Sequence, residues 1–595
     1  MKRPLVFYST SLAVGCMSAI AFLDSILAAA VITASFFIIF ILTLETKFCA
    51  LSVLFFIFGI LAFNIYFYID IKDVVEVRIV EKKNYYYIGD YNGRKLILNG
   101  KVDGLKEGQK IKAQGNFKRS PYIEQGIIGN YTLTKYENGK SDFIYYIYKF
   151  KKNIYEKFKK LIGESRAAVV MALCYGETSY MSESQMEEFQ KLGVIHAISV
   201  SGFHMAIIYK TLECIFGLKL AVIISVLYVF FTGMAAATMR SFIMIFIFKL
   251  SKVFLKEYDS ISSLSLAALI LMVFKPYYIV NLGFGLSFLS TLGIILYNEK
   301  IYIKLFKLPE KIASNISLSF SSQIFSMPYI AFTIQNFSFG FMLGNLFLLP
   351  LFSAIVILGN AALCLYFIEP IFKFICWAIN FVFIVEEGFN SIILRLCPDI
   401  IYLKYIDGLA IVAAYMSFLM YKNGYKKARY IPAICMVLIL LKSCSIFTDI
   451  VFINNSSGQG IIVKKGINKV MICNYDYINT QWISDIKDSD QVEKIITNPE
   501  KSFVYDLSKH TYLKVDENLD SFMKVKIHSG NEEFNFLLSK YDKKYMPVFN
   551  KNQYIYIPKV NSQYKCSSNG YKSFLKDNVE SAEYVIILNR LFRIK

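Results

Sequence analysis

Two of the chain's four histidines, His196 and His204, lie eight residues apart inside an apolar run, with Ser199, Ser201 and Gly202 between them. Imidazole and hydroxyl groups at bilayer depth can carry protons, bind anions or ligate metal, and they are costly there without partners. On one regular helix an eight-residue gap turns the second ring by roughly 80° from the first. A shared site therefore requires a break at the Ser-Gly step. Broken membrane helices line sites or paths, because their freed backbone groups need partners. The plainer alternative is two histidines bonded to neighbouring helices, with Ser and Gly admitting close packing. A metal site is not indicated, since no third His, Cys or carboxylate stands nearby. Ser201 lacks the G-x-S-x-G flanks of a hydrolase nucleophile. No catalytic residue, metal or cofactor is assigned.

Arg240 is the second signal, set between Ala235-Ala236-Ala237 and an apolar stretch. A guanidinium keeps its charge and presents a fork that matches phosphate. It either contacts a phosphodiester, pairs with an intramembrane carboxylate such as Glu386 or Glu387, or snorkels to the membrane boundary. Asn281, Gln323 and Asn345, with Pro328 and Pro350, are further polar or helix-bending points able to line a lumen.

These residues need a scaffold, and the composition defines it. The chain has 595 residues, 55% hydrophobic and 18% charged, against about 25% charged in soluble domains. Disordered, collagenous and disulfide-dense classes are excluded. Apolar runs of spanning length recur from Leu5 to Leu23, Ile26 to Leu44, Phe48 to Tyr68, and about ten more times between Leu192 and Ser445. The total expected is about thirteen spans, with Pro350 breaking the long 337–367 run. The fold class expected is a polytopic α-helical membrane protein with an extracellular OB-like β-barrel insert and a small α/β or β-rich C-terminal extracellular domain.

The insert is read from residues 71–141, where β-branched and aromatic stretches alternate with turn residues. Asn92-Gly93 and Asn99-Gly100 have the form of hairpin turns. Residues 1–70 form the N-terminal transmembrane helices. Residues 142–190 hold a lysine-rich amphipathic helix, suited to the membrane interface or to an ordinary solvated face, and a connector. Residues 191–448 form the main membrane domain and 449–595 the C-terminal domain. Basic loops (Lys2 and Arg3; Lys249, Lys252 and Lys256; Lys300 to Lys311; Lys422 to Arg429) place the N-terminus inside and both polar modules outside. The excess of 65 Lys+Arg over 45 Asp+Glu, a formal charge of +20, suits an anionic partner such as nucleic acid or lipid, or reflects those loops. Of eleven cysteines none forms a CxxC pair, and only Cys473 and Cys566 lie in the polar C-terminal region, where they could pair.

The motifs in order carry a resemblance. His196-Ala197-Ile198-Ser199-Val200-Ser201-Gly202-Phe203-His204 resembles the H-L-L-A-[IV]-S-G-L-H signature of ComEC-type DNA-uptake channels. Met239-Arg240-Ser241-Phe242-Ile243-Met244 resembles the family's L-R-A-x-[ILM]-M segment. Pro276 with Gly283-Phe284-Gly285-Leu286-Ser287-Phe288 resembles its P…G-F-Q-L-S-F segment, with Gly285 in place of Gln. Pro328, Asn345-Leu346 and Leu349-Pro350 fit the later P…N-L…L-P pattern.

The resemblance implies import of single-stranded DNA across the cell membrane during natural transformation, with a cytoplasmic ATP-driven motor and an outer DNA receptor as partners besides membrane lipid. His196, Ser199, Ser201, Gly202, His204, Arg240, Asn281, Gln323 and Asn345 would then shape the DNA path. Lys110, Lys112, Lys118 and Arg119 of the OB-like module would capture the strand. Many members end in a metallo-β-lactamase-like domain. Here Phe452 to Val463 resembles its opening strand pair, but Asn454 and Gln459 replace two acids and no HxHxDH follows. A truncated or degenerate, metal-free domain is expected, so the reading points away from an enzyme. No P-loop is present, so the conduit would be passive. The alternative is an intramembrane transporter or enzyme for a small anion, built on the His196/Ser201/His204/Arg240 cluster.

Overall fold

The computed structural model describes residues 3–43, 46–83, 86–100, 102, 104–198, 200–397, 400–403, 405–443, 445–454, 458–466, 468–475, 492, 494–497, 503–508, 511–519, 522–529, 532–539, 555–557, 582–587 and 590–593. The chain divides into two compact units. One comprises Met1–Tyr329 with Ser338–Ile400, and the other Ile330–Phe337 with Ile401–Lys595.

In the first unit three apolar helices lead: α1 (Pro4–Asp24), α2 (Ile26–Thr43) and α3 (Thr46–Phe67). Period-two alternation then builds five strands: β1 (Val74–Lys82), β2 (Tyr87–Tyr91), β3 (Arg94–Gly100), β4 (Lys110–Tyr122) and β5 (Ile127–Asn138). They close a barrel in the order β1-β2-β3-β5-β4, with β3 and β5 parallel and β4 returning to β1. This is an OB-like barrel, filled by Val77, Ile79, Leu96, Leu98, Ile111, Ala113, Ile128 and Tyr131. Asn92 and Gly93 both take positive φ, 51° and 81°, as a two-residue β2–β3 hairpin requires. Asn99-Gly100 is not a turn. It ends β3 and pairs with Thr132 and Leu133 of β5, and at Gly100 a Cβ would sit 2.5 Å from the Leu133 carbonyl oxygen.

The helical remainder of this unit is α4 (Phe143–Ile162), α5 (Glu164–Tyr175), α6 (Glu183–Lys191), α7 (Ile195–Ile198), α8 (Gly202–Phe231), α9 (Ala236–Val253), α10 (Ser260–Phe274), α11 (Leu282–Lys304), α12 (Glu310–Thr333, ending in the second unit), α13 (Phe341–Cys364) and α14 (Glu369–Leu396). The amphipathic α4 lays Ile154, Tyr155, Phe158 and Ile162 into a core shared with α5, α13 and α14. Asp142 caps it, accepting from the Tyr145 amide at 3.1 Å, and grips Arg78 of β1 through both carboxylate oxygens. The Arg78 guanidinium holds the Asp142 carboxyl well below the ordinary carboxylate range. A depressed acid stabilises the fold above its unfolded pKa and loses that contribution as pH falls through the folded value. Asp142→Asn is therefore expected to speed hydrogen exchange at Arg78 and Tyr145 of the full chain at pH 7. The difference from the parent should shrink below about pH 4.

Among the described residues five helices are long and apolar enough to cross a membrane: Pro4–Asp24, Phe48–Phe67, Gly202–Phe231, Leu282–Lys304 and Phe341–Cys364. Ile26–Leu42 and Ser260–Phe274 are shorter apolar helices. This is fewer than the about thirteen expected. The runs near 194–213 and 217–234 fall largely within α8, which bends at Gly217 (φ 73°). α9 carries Arg240, Lys249 and Lys252, and α14 carries Glu386 and Glu387. Pro350 lies within α13 and does not break it; the long run is interrupted instead before Phe341.

Two contacts fix which helix ends lie together. Arg3 binds Asp259, the cap of α10, at 2.9 and 3.1 Å. At the opposite end Tyr66 of α3 donates to the Gly126 carbonyl of the β4–β5 turn at 3.0 Å, and Tyr277, just past α10, packs on Gly126. The N-terminus and the 254–259 loop thus share one end, and the barrel sits at the other.

The second unit holds the two-residue strands β6 (Asn336–Phe337) and β7 (Ile401–Tyr402), paired to each other, and helices α15 (Tyr405–Lys422) and α16 (Ile431–Ser443). A sandwich follows. Its first sheet contains β8 (Ser445–Asn454), β9 (Gly458–Gly466), β10 (Asn468–Tyr475) and β11 (Lys494–Thr497). Its second contains β12 (Phe503–Ser508), β13 (Thr511–Leu519), β14 (Phe522–Ser529), β15 (Glu532–Ser539) and β16 (Ile555–Ile557). β17 (Ala582–Ile587) and β18 (Arg590–Arg593) return to the first, giving orders β11-β10-β9-β8-β17-β18 and β12-β13-β14-β15-β16. Ile450, Phe452, Ile461 and Val463 face Leu513, Val525, Ile527 and Phe536 between the sheets. Asn454 stands opposite Gln459 in the β8–β9 register. Among the described residues no group of three His, Cys, Asp or Glu is placed to hold a metal. His510 and Cys566 lie outside the described residues, so a Cys473–Cys566 pairing does too.

Candidate functional site

The Gly193–Met205 run folds as a break rather than one helix. α7 ends at Ile198, Ser199 lies outside the described residues, and α8 starts at Gly202. The Val200 carbonyl accepts from Thr238 Oγ1 of α9 at 3.0 Å, so the freed backbone finds a partner in the next helix. Ser201 caps α8 and His204 occupies its third position. The His204 Nδ1 accepts from the Ser201 amide at 3.0 Å and lies 2.9 Å from Ser201 Oγ. This is a capping box in which histidine replaces the usual Glu or Gln. The arrangement fixes the ring and leaves the proton on Nε2. That nitrogen is buried without a partner, on a residue with no exposed surface.

Arg240 lies one turn into α9. Its Nη2 donates to Ser241 Oγ at 3.0 Å, and its Nη1 donates to the Ser287 carbonyl of α11 at 3.2 Å. The Ser241 hydroxyl in turn donates to the Ala237 carbonyl at 3.0 Å. The guanidinium lies 6.0 Å from the Phe288 ring. Nε is buried without a partner, and the residue is 8% exposed. Leaving one such donor unsatisfied costs about 1–3 kcal/mol.

Neither of the carboxylates considered as partners for Arg240 reaches it. Glu386 accepts from Asn390 Nδ2 at 2.7 Å. Glu387 holds Arg166 of α5 through both oxygens at 2.7 Å. The reason is packing: α14 lies against α4 and α13, whereas α9 lies against α8, α10 and α11. Among the described residues no carboxylate comes within ion-pair distance of Arg240.

Gly202 closes the cluster. A Cβ there would meet Ser241 Oγ at 2.3 Å and Arg240 Nη2 at 2.5 Å, so only glycine lets the start of α8 approach the guanidinium this closely. Three separated segments, 200–204, 238–241 and 287–288, thus meet, and in this conformation they are packed shut. Asn281 caps α11, accepting from the Phe284 amide at 3.1 Å, and so positions the helix that supplies Ser287. Gln323 accepts from Ser326 at 3.1 Å, and Asn345 donates to Ser319 at 3.1 Å; both take partners from α12 rather than from the Arg240 cluster. His196 is exposed on α7. Gly285, where the related motif has Gln, leaves room for Tyr329, whose ring would lie 2.5 Å from a Cβ.

The four basic residues of β4 divide. Lys110 pairs with Glu76 at 2.7 Å. Arg119 contacts Asp70 at 3.4 Å and lies 5.1 Å from the Tyr68 ring centroid. Lys112 and Lys118 are exposed on the outer face of the barrel. In OB folds the β2–β3 face and the 1–2 and 4–5 loops bind oligonucleotides. Here the 4–5 turn is seated on Tyr66 and Tyr277, and Arg94 of β3 donates to the Tyr66 and Ile65 carbonyls at 3.0 Å each.

One polar pair escaped the sequence reading. Lys151, 6% exposed, binds Glu177 at 2.6 Å and lies 5.1 Å from the Phe231 ring. The signal was present: Lys151 stands three, four and seven residues before Ile154, Tyr155 and Phe158, on the apolar stripe of α4. Lys151→Ala is expected to cost about 2–3 kcal/mol, below the figure for wholly buried pairs, because Glu177 keeps 27% of its side chain exposed. Lys151→Met with Glu177→Gln should recover most of it, read by thermal unfolding in detergent.

Residues 173–421 match the family described as "Competence protein". The chain is 25% identical over 270 residues to "ComE operon protein 3" of Bacillus subtilis (strain 168), covering 43% of this chain and 34% of that one. It is 28% identical over 196 residues to an uncharacterized protein of Aquifex aeolicus (strain VF5), covering 30% of this chain and 48% of that one. The matches thus span between a third and a half of those relatives' lengths. No solved structure matches.

Proposed function

We propose that this chain, whose residues 173–421 match the competence-protein family and which carries several membrane-length apolar helices, is a multi-pass protein of the ComEC type that conducts a single strand of DNA across the cell membrane during natural transformation. The observation that carries this reading is Arg240. It is a buried cation without a carboxylate partner among the described residues, held where the 200–204, 238–241 and 287–288 segments meet inside the region that matches the family. A strand presents one anionic phosphate per nucleotide, and a fixed guanidinium is its natural counterpart.

In this reading the N-terminus is cytoplasmic, while the barrel and the C-terminal sandwich are extracellular. The shared end of Arg3 and Asp259, opposite the barrel, supports placing the N-terminus and the barrel on different sides. Lys112 and Lys118 offer exposed charge for first capture, with Lys110 and Arg119 partly engaged by acids. The conduit is passive, driven by a cytoplasmic ATP-dependent motor and fed by an outer receptor. Passage requires α8 and α9 to separate at Gly202, since the cluster is closed here. His196, Ser199, Ser201 and His204 shape the same stretch, with Asn281, Gln323 and Asn345 further along the helices.

The tight burial of the cluster also fits a second reading, a transporter for a small anion. Liposomes loaded with purified protein separate the two. Net movement of a labelled single strand down a pulling gradient, without leakage of phosphate, supports the conduit; phosphate movement without strand movement overturns it.

A further inference from the structure

We infer that the first turn of α8 and Arg240 together form a binding site for a single phosphodiester group of the strand; this rests on the conduit reading and assigns its point of contact. Two kinds of donor gather there, the first amides of a helix and a guanidinium, and each keeps a group without a protein acceptor. The helical stretch from Gly202 to the bend at Gly217 starts here, and it brings the Gly202 and Phe203 amides, which have no intrahelical acceptor, and the positive end of its dipole. Arg240 Nε–H is buried without a partner. Arg240 is more than nine-tenths buried. The two other Arg240 nitrogens are held by weak neutral acceptors, Ser241 Oγ and the Ser287 carbonyl.

The residue at 202 makes the approach possible. Arg240 Nη2 stands where even a methyl group on residue 202 would be only 2.5 Å away, so the guanidinium faces the bare start of the helix. A helix start beside one permanent positive charge, with a buried donor still unpartnered, matches a singly charged group bearing two acceptor oxygens. A phosphodiester is that group. A lipid headgroup phosphate and free phosphate share the chemistry, so the test must separate them.

Hydrogen exchange at residues 202–205 of the full chain reads the site. The protein is placed in phosphatidylcholine nanodiscs and given oligothymidylate, the same oligomer with neutral methylphosphonate linkages, or inorganic phosphate. A fourth sample uses discs containing phosphatidylglycerol. The expected result is about tenfold slower exchange with the natural oligomer alone. That protection should be lost in Arg240→Gln and partly kept in Arg240→Lys. Equal protection by the neutral oligomer would overturn the anion site, as would no protection in any sample. Protection by phosphate or by phosphatidylglycerol without oligomer would overturn the strand as its occupant. In each of those cases DNA uptake still lost in Arg240→Gln cells leaves the conduit reading standing. Unchanged uptake in those cells at parental protein level removes the conduit reading itself.

Discussion

Arg240→Gln is expected to lower transformation by about 30- to 100-fold, the worth of one charge-assisted contact in a site of low dielectric. Glutamine keeps much of the length and can still donate toward Ser241 Oγ, so the α9–α11 packing should survive. What disappears is the permanent charge and the fork. Arg240→Lys should fall between, since an ammonium retains the charge but cannot reach Ser241 Oγ and the Ser287 carbonyl as a rigid plane. Quantitative transformation, normalised to the amount of protein in the membrane, checks both. Equal frequencies for Gln, Lys and parent would show that the charge has no part in transport.

The second large effect is expected at Gly202. Its hydrogen points at Ser241 Oγ and Arg240 Nη2 across distances that no side chain can share. Gly202→Ala must displace the guanidinium, at a cost of about 1–3 kcal/mol for overpacking, and should reduce uptake about tenfold. Gly202→Val adds a branched side chain at the same point and should match the loss seen in Arg240→Gln. A double change, Gly202→Ala with Arg240→Gln, should be little worse than Arg240→Gln alone. Both substitutions act on one contact, and neighbouring effects do not add. Full additivity would place Gly202 outside the Arg240 site.

Local rules made part of this architecture legible. The barrel followed from strict alternation and from Asn92-Gly93, because its pairing is between near neighbours in sequence. The break in the histidine segment followed from Ser-x-Ser-Gly within an apolar run. The box joining Ser201 to His204 is an S-x-x-H version of a known capping spacing, so it too could be read locally. The partner of Arg240 could not. Its hydrogen bond goes to a backbone carbonyl 47 positions away, and carbonyls leave no mark in a sequence. The same holds for the Gly126–Tyr277 contact that seats the barrel. Pro350 misled because α13 tolerates a proline within it, as membrane helices do when neighbours re-satisfy the freed carbonyl. Asn99-Gly100 misled because glycine there serves the close approach of β5 rather than a turn.

In the proposed conduit the cluster is a closed gate whose lock is chemical as well as steric. Neutral acceptors would hold the guanidinium until a better anion arrives, and the glycine start of α8 sets how tightly the two helices meet. The measurement that reaches this account most directly is photo-cross-linking of DNA arrested during uptake. A photoreactive phenylalanine would replace Phe203, beside Gly202 and 42% exposed, with Phe374 on α14, 66% exposed, as the control position. The account predicts a DNA adduct at position 203 and none at position 374. Strand captured at the barrel with no adduct at 203, in protein that still imports DNA, would contradict it.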